Sequence, residues 1–231
     1  LKIRPVHAFN LSPDEALELQ RELAGRLRSG PRPEPLRLVA GADAAYPGPG
    51  RAVGAAVVFD LAAGRIVDQA VAEVETGFPY RSGLLTFREA PALLAALARL
   101  EVEPDAVVFD GQGQAHPRRL GLAAHLGLFL EKPTIGCAKS RLFGRADQPG
   151  PERGSQADLI HPVLGQPIGR VVRTRTGVKP VFVSPGHLAE IDWACRLVLD
   201  LAVRYRLPEP LRAAHHLAGR AGVSRGRSRP G

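Results

Sequence analysis

"LVAGAD" (Leu38–Asp43) and "DAVVFD" (Asp105–Asp110) are short apolar runs, each closed by an aspartate. Runs of this kind, bounded by polar residues, fit strands buried inside a sheet. In open α/β sheets ligands bind at the carboxyl ends of the strands. If the two strands are parallel neighbours, Asp43 and Asp110 project into one crevice. Two anions a few ångströms apart repel unless a cation lies between them. A site of carboxylates and water suits Mg²⁺ or Mn²⁺ rather than zinc. The plainer alternative is that each aspartate merely caps a βα turn.

Outward from these runs, the pattern is strands first and then alternating helix and strand. "LRLVAGADAAY", "RAVGAAVVFD" and "GRIVDQAVAEVE" read as three strands, the last two joined as a hairpin. Ser12-Pro13-Asp14-Glu15 carries a capping box with Pro at the first helical position, and Leu19, Leu23 and Leu27 continue that helix. After Tyr80 come a helix (residues 86–100), a strand, a helix (118–130), the strand "PTIGCAK", and a hairpin over "GRVVRTRTGVKPVFV". Ser184-Pro185 is read as opening a long helix to about Tyr205. The expectation is an α/β fold, a mixed sheet flanked by helices. Residues 1–216 form one domain, and residues 217–231 have the composition of a basic, disordered tail.

The 231 residues carry a net charge of +8, with 31 Lys and Arg against 23 Asp and Glu. Such a surplus attracts polyanions, nucleic acid first. No apolar run is long enough for a membrane span and no signal peptide is evident, so a cytoplasmic protein is expected. Cys137 and Cys195 stand alone, which excludes a disulfide framework by count and argues against zinc.

Three further stretches bear on chemistry. Thr86-Phe87-Arg88-Glu89 fits a capping box, yet Glu89 also reads as a third carboxylate facing the crevice. "GQGQAHP" after Asp110 lacks the third glycine of a dinucleotide fingerprint, since position 116 is His; its glycines instead let a ligand approach the backbone. Ser184, His187 and Asp192 have hydrolase letters without a nucleophile elbow.

Taken together, "VAGADAAYP", "FPYRSGLLTFREAPALL", "FDGQGQAHPRRLGLAAHLGL", "PTIGCAKSRLFG", "KPVFVSPGH" and "LPEPLRAAH" resemble the endonuclease V family over residues 11–216. The resemblance implies a ribonuclease H-like fold. It also implies Mg²⁺-dependent hydrolysis, with Mn²⁺ able to substitute, of the second phosphodiester 3′ to hypoxanthine in DNA. The products would carry a 3′-hydroxyl and a 5′-phosphate. By motif, the metal acids would be Asp43, Glu89 and Asp110, with His215 near the metal and Lys139 stabilising charge at the scissile phosphate. His116 would contact the DNA nearby. Tyr80 would be the wedge that fills the gap left by an extruded base, with Gly83, Leu85, Gly111 and Leu122 around the flipped hypoxanthine.

The family usually has Ile-Pro after this tyrosine, whereas Arg81-Ser82 stands here. A looser loop and an added cation imply weaker lesion discrimination and stronger non-specific binding. The resemblance also leaves two alternatives: an endonuclease for inosine-containing RNA, and a nucleic-acid-binding module without catalysis. A monomer and no membrane partner are expected.

Overall fold

The computed structural model describes residues 1–226. In chain order the elements are α1 (Pro13–Ala24), β1 (Leu38–Gly48), β2 (Arg51–Asp60), β3 (Arg65–Glu75), α2 (Leu85–Ala98), β4 (Ala106–Phe109), α3 (Leu122–Leu130) and β5 (Thr134–Ala138). Then follow β6 (Gln156–Ile160), β7 (Pro167–Val172), β8 (Val181–Pro185), α4 (Ile191–Leu201) and α5 (Glu209–Gly226). The strands form one mixed sheet in the order β3-β2-β1-β4-β5-β8-β7-β6. β1, β4 and β5 run parallel to one another, and the remaining pairs are antiparallel. This is a ribonuclease H-like mixed sheet.

Side chains alternate across the two central strands, as the pleat requires. Ala40, Ala42, Val107 and Phe109 pack with α2 and α3 on one face. Val39, Ala106 and Val108 pack with α4 and Leu211 of α5 on the other. The same alternation puts Gly41 and Asp43 on the α5 side of β1. A Cβ on Gly41 would stand 2.3 Å from backbone atoms of Pro210 and Leu211, so the glycine lets α5 lie directly on the strand. α1 packs on the opposite side of the molecule's helical layer, with Leu23 against Leu120, Ala124 and Leu128, and Ala16 near Leu84 and Phe87.

The capping box at Ser12 and Glu15 is present, and the β2–β3 and β7–β8 hairpins form. Other expectations are corrected. Ser184-Pro185 ends β8 instead of opening a helix, because the Ser184 hydroxyl accepts the Gly113 amide at 2.8 Å inside the sheet layer. α4 begins only at Ile191. Thr86 and Glu89 do not cap α2: its N-cap is Leu84, with no side-chain bond, and both polar residues are buried within the helix. α5 extends through residues 217–226, the first part of the stretch read as a tail; residues 227–231 lie outside the described residues. Both cysteines are free and buried. Burial pushes the Cys195 thiol up to about 12, so it stays protonated.

Candidate active site

Asp43 continues β1 one residue past Ala42, and Asp110 follows Phe109, the parallel partner of Ala42. The register therefore sets the two carboxylates side by side at the strand ends. α5 brings His215 over them, and its Nδ1 donates to Asp43 Oδ2 at 2.6 Å. Ligand-capable atoms of Asp43, Asp110 and His215 all lie within 4.8 Å of one another. Asp43 Oδ1 also accepts the Ala44 amide at 2.8 Å. Lys139, just past β5, pairs with Asp110 Oδ2.

Glu89 approaches from the first turns of α2 rather than from the sheet. It lies outside that tight triad, and its Oε1 accepts from the Tyr46 hydroxyl at 3.3 Å. Burial and then the Asp43 charge raise its pKa to about 8. Burial, followed by the charge of Asp110, raises Asp43 as well. The acids are thus crowded and short of positive charge.

Beside them opens a pocket of about 340 Å³. All six residues that the family resemblance assigns to lesion binding line it: Tyr80, Gly83, Leu85, Gly111, His116 and Leu122. Asp110 and Lys139 line it too. Leu85 and Leu122 are the first residues of α2 and α3, so two helix starts face the cavity. Tyr80 stands at a loop tip and is 74% exposed. Arg81, next to it, lies 3.6 Å from Asp14 of α1.

His116 lines the pocket yet is held almost wholly inside the protein. It is 2% exposed; Nε2 bonds the Gly83 carbonyl at 2.9 Å, and Nδ1 accepts the Arg118 amide at 3.2 Å. A carbonyl can only accept, so Nε2 carries the proton and the ring is neutral. Burial and then the Arg118 charge lower its pKa to about 4. The same Gly83 carbonyl accepts from Gln20 Nε2 at 3.0 Å and Arg118 Nη2 at 2.9 Å. Gln20, fully buried on α1, also bonds Leu120 O at 3.1 Å, and its Oε1 accepts from Arg118 Nε at 2.6 Å. Gln20 belongs to none of the quoted motifs, and Arg118, though inside the "FDGQGQAHPRRLGLAAHLGL" block, carried no assigned role; an uncharged polar residue among the leucines of α1 was the available signal for Gln20. Gly83 has φ +78, a backbone suited to glycine, and its carbonyl thereby reaches all three donors. Gly113, by contrast, admits no ligand: a Cβ there would sit 2.2 Å from Pro185 O.

Carboxylates at the ends of adjacent parallel strands, a lysine on one of them, and a base-sized pocket beside both define a phosphodiester-cleaving nuclease of ribonuclease H-like fold. The endonuclease V family model matches residues 21–216. The endonuclease V of Methanothrix thermoacetophila is 48% identical over 218 residues, covering 94% of this chain and 96% of that protein. The crystal structure of the Bacillus subtilis family member superposes with a TM-score of 0.92 at 31% identity, over 99% of this chain and 100% of that one. That of Ciona intestinalis, in complex with DNA containing an inosine followed by a ribo-adenosine, has a TM-score of 0.78 at 26% identity, covering 90% and 96%. The chain belongs to the endonuclease V family and is a nuclease.

Proposed function

We propose that the chain is a Mg²⁺-dependent repair endonuclease. It takes an extruded hypoxanthine into the pocket beside Gly83 and Gly111 and hydrolyses the second phosphodiester bond 3′ to it. One observation carries this reading: Asp110 belongs to both the acid cluster and the pocket wall, with Lys139 paired to it in that wall, so base recognition and phosphate chemistry share one surface. The inosine in the DNA bound by the Ciona enzyme supports hypoxanthine as the base.

The donor set fits a hard divalent cation, since buried acids that raise one another's pKa are relieved by positive charge among them. Asp43, Asp110 and His215 would hold it, with Glu89 adjoining. When bound, the ion supplies polarisation of the phosphate and a lowered pKa for the attacking water. Lys139 offsets the charge that develops on the phosphoryl oxygens. His215 is oriented by Asp43 through Nδ1–H, which leaves the Nε2 lone pair as its ligand atom. Tyr80 stacks on the bases flanking the extruded nucleotide. His116 acts through Gly83, whose backbone it holds. Every residue named for the site comes from one chain, so the proposed chemistry needs no second copy.

The test is a duplex with a single inosine, incubated with and without Mg²⁺, each nick being mapped to its bond. A cut at the second bond 3′ to the lesion, present only with Mg²⁺, is expected. Asp110→Asn should lower it more than about 100-fold at unchanged circular dichroism. Scattered nicks, or binding without cleavage, would refute the proposal. The ribo-adenosine in the Ciona complex makes inosine-containing RNA the second substrate to compare.

A further inference from the structure

A second groove, of about 670 Å³, adjoins the segment 116–118, with His116 lining the lesion pocket and Pro117 and Arg118 lining the groove. Arg21, Arg28, Arg118 and Arg119 line it, with His161 and Leu164 at its rim. Arg28 pairs with Glu131 at 2.7 Å. Arg21 has no ion-pair partner among the described residues. Its charge contributes, after burial, to lowering the Arg118 pKa, as expected for two guanidinium groups facing one another. Arg119 has φ +55, a left-handed backbone unusual outside glycine, and its Nη2 is braced on Gln114 Oε1 at 2.6 Å. Four like charges with one acid to balance them are stable together when an anion completes the set.

The shape of the rim narrows the class of anion. Val163 and Leu164 protrude from the β6–β7 turn, 85% and 55% exposed. Four arginines with apolar Leu164 in the same lining suit a polynucleotide, whose phosphates are charged and whose sugars are not. Arg118 links the groove to the wedge loop, because the same guanidinium that lines it bonds the Gly83 carbonyl.

We infer that this arginine groove binds the phosphodiester backbone of the duplex arm running past the Tyr80 loop, outside the lesion pocket. The inference rests on the nuclease reading above. It separates affinity for ordinary duplex, held in the groove, from recognition of the altered base in the pocket. Neutralising the groove therefore weakens binding to all long duplexes alike, whatever base they carry.

The experiment compares the wild type with Arg21→Gln, Arg28→Gln and the double variant, with Ca²⁺ in place of Mg²⁺. Affinities are measured by fluorescence anisotropy across salt for a long inosine duplex, a long undamaged duplex, and a short inosine-containing single strand reaching only from wedge to scissile bond. Each arginine removed should lower the slope of log K against log[salt] by about 1 on both duplexes. Between about 50 mM and about 200 mM salt, each removal should therefore spare about fourfold in affinity. Arg21→Glu should exceed Arg21→Gln in its loss of duplex affinity. Unchanged slopes on the duplexes, or an equal loss on the short strand, would overturn the groove even with inosine cleavage intact. Conversely, an enzyme that never cuts at inosine while its duplex slopes fall as stated would retain the groove and lose the lesion reading.

Discussion

Gln20 shows how much one buried amide can control. It reaches from α1 to the loop of the wedge, to the segment before α3 and to Arg118, with no solvent contact. Replacement by leucine preserves the apolar packing of α1 but leaves the Gly83 and Leu120 carbonyls a donor short and the Arg118 Nε without its acceptor. Gln20→Leu should cost about 1–3 kcal/mol in urea unfolding. It should also lower the ratio of inosine to adenine cleavage, because the pocket floor is no longer held. An unchanged ratio at the lower stability would reduce Gln20 to a packing role. Residues with a motif around them were legible: Asp43, Asp110, Lys139 and Tyr80 sit at strand ends or a turn, each signalled by the short apolar run or turn residues beside it. Glu89 was legible only as an ambiguity, since four letters fit a helix cap while its real neighbours, Asp43 and Tyr46, lie more than forty positions away. The bond from His116 to the Gly83 carbonyl, by contrast, could not be seen without the fold.

Elements meet the site through contacts too close for ordinary side chains. β1 and α5 touch at Gly41, where any Cβ would collide with the backbone of Pro210 and Leu211. Gly41→Ala should therefore lift the start of α5, cost about 1–3 kcal/mol from overpacking, and draw His215 away from Asp43. Thermal unfolding and Mg²⁺ titration of nicking would report the two effects, and a native melting point with native metal response would disprove the coupling. The central strands could be read from their apolar runs, and β2–β3 from its turn. α5 could not: its arginines, glycines and alanines lack a strong apolar stripe, and what holds it helical is the flat, glycine-opened surface of β1. β6 was missed because it is a short edge strand whose Gln156 and Asp158 face outward, paired on one side only. Ser184-Pro185 has the letters of a helix start, and only the amide of Gly113, donated from another part of the chain, shows why it ends a strand.

At the scale of the whole molecule, the N-terminal segment is tied down by a pair of histidines. His7 Nε2 lies 2.7 Å from His125 Nε2, within a cage of Phe9, Phe87 and Phe129. Burial, then the nearby His7 and His116, lower the His125 pKa to about 3. His116 is lowered to about 4. Below the ordinary histidine value of about 6.5 the unfolded chain takes up protons that the folded chain refuses, so stability is complete above that value and falls as pH drops toward the folded values. The loss for each ring at about pH 5 is on the order of 1–2 kcal/mol. Urea midpoints at about pH 7 and about pH 5 should differ accordingly, and His125→Leu should narrow the gap; an equal gap would assign the acid sensitivity elsewhere. No helix among the described residues is long and apolar enough to cross a membrane. The order of synthesis adds a last consequence, drawn from the place of α5 across β1. The two aspartates lie in the first half of the chain, whereas the imidazole that joins them stands at position 215, C-terminal to every strand. A product that ends before α5 therefore holds both aspartates but lacks the imidazole beside them.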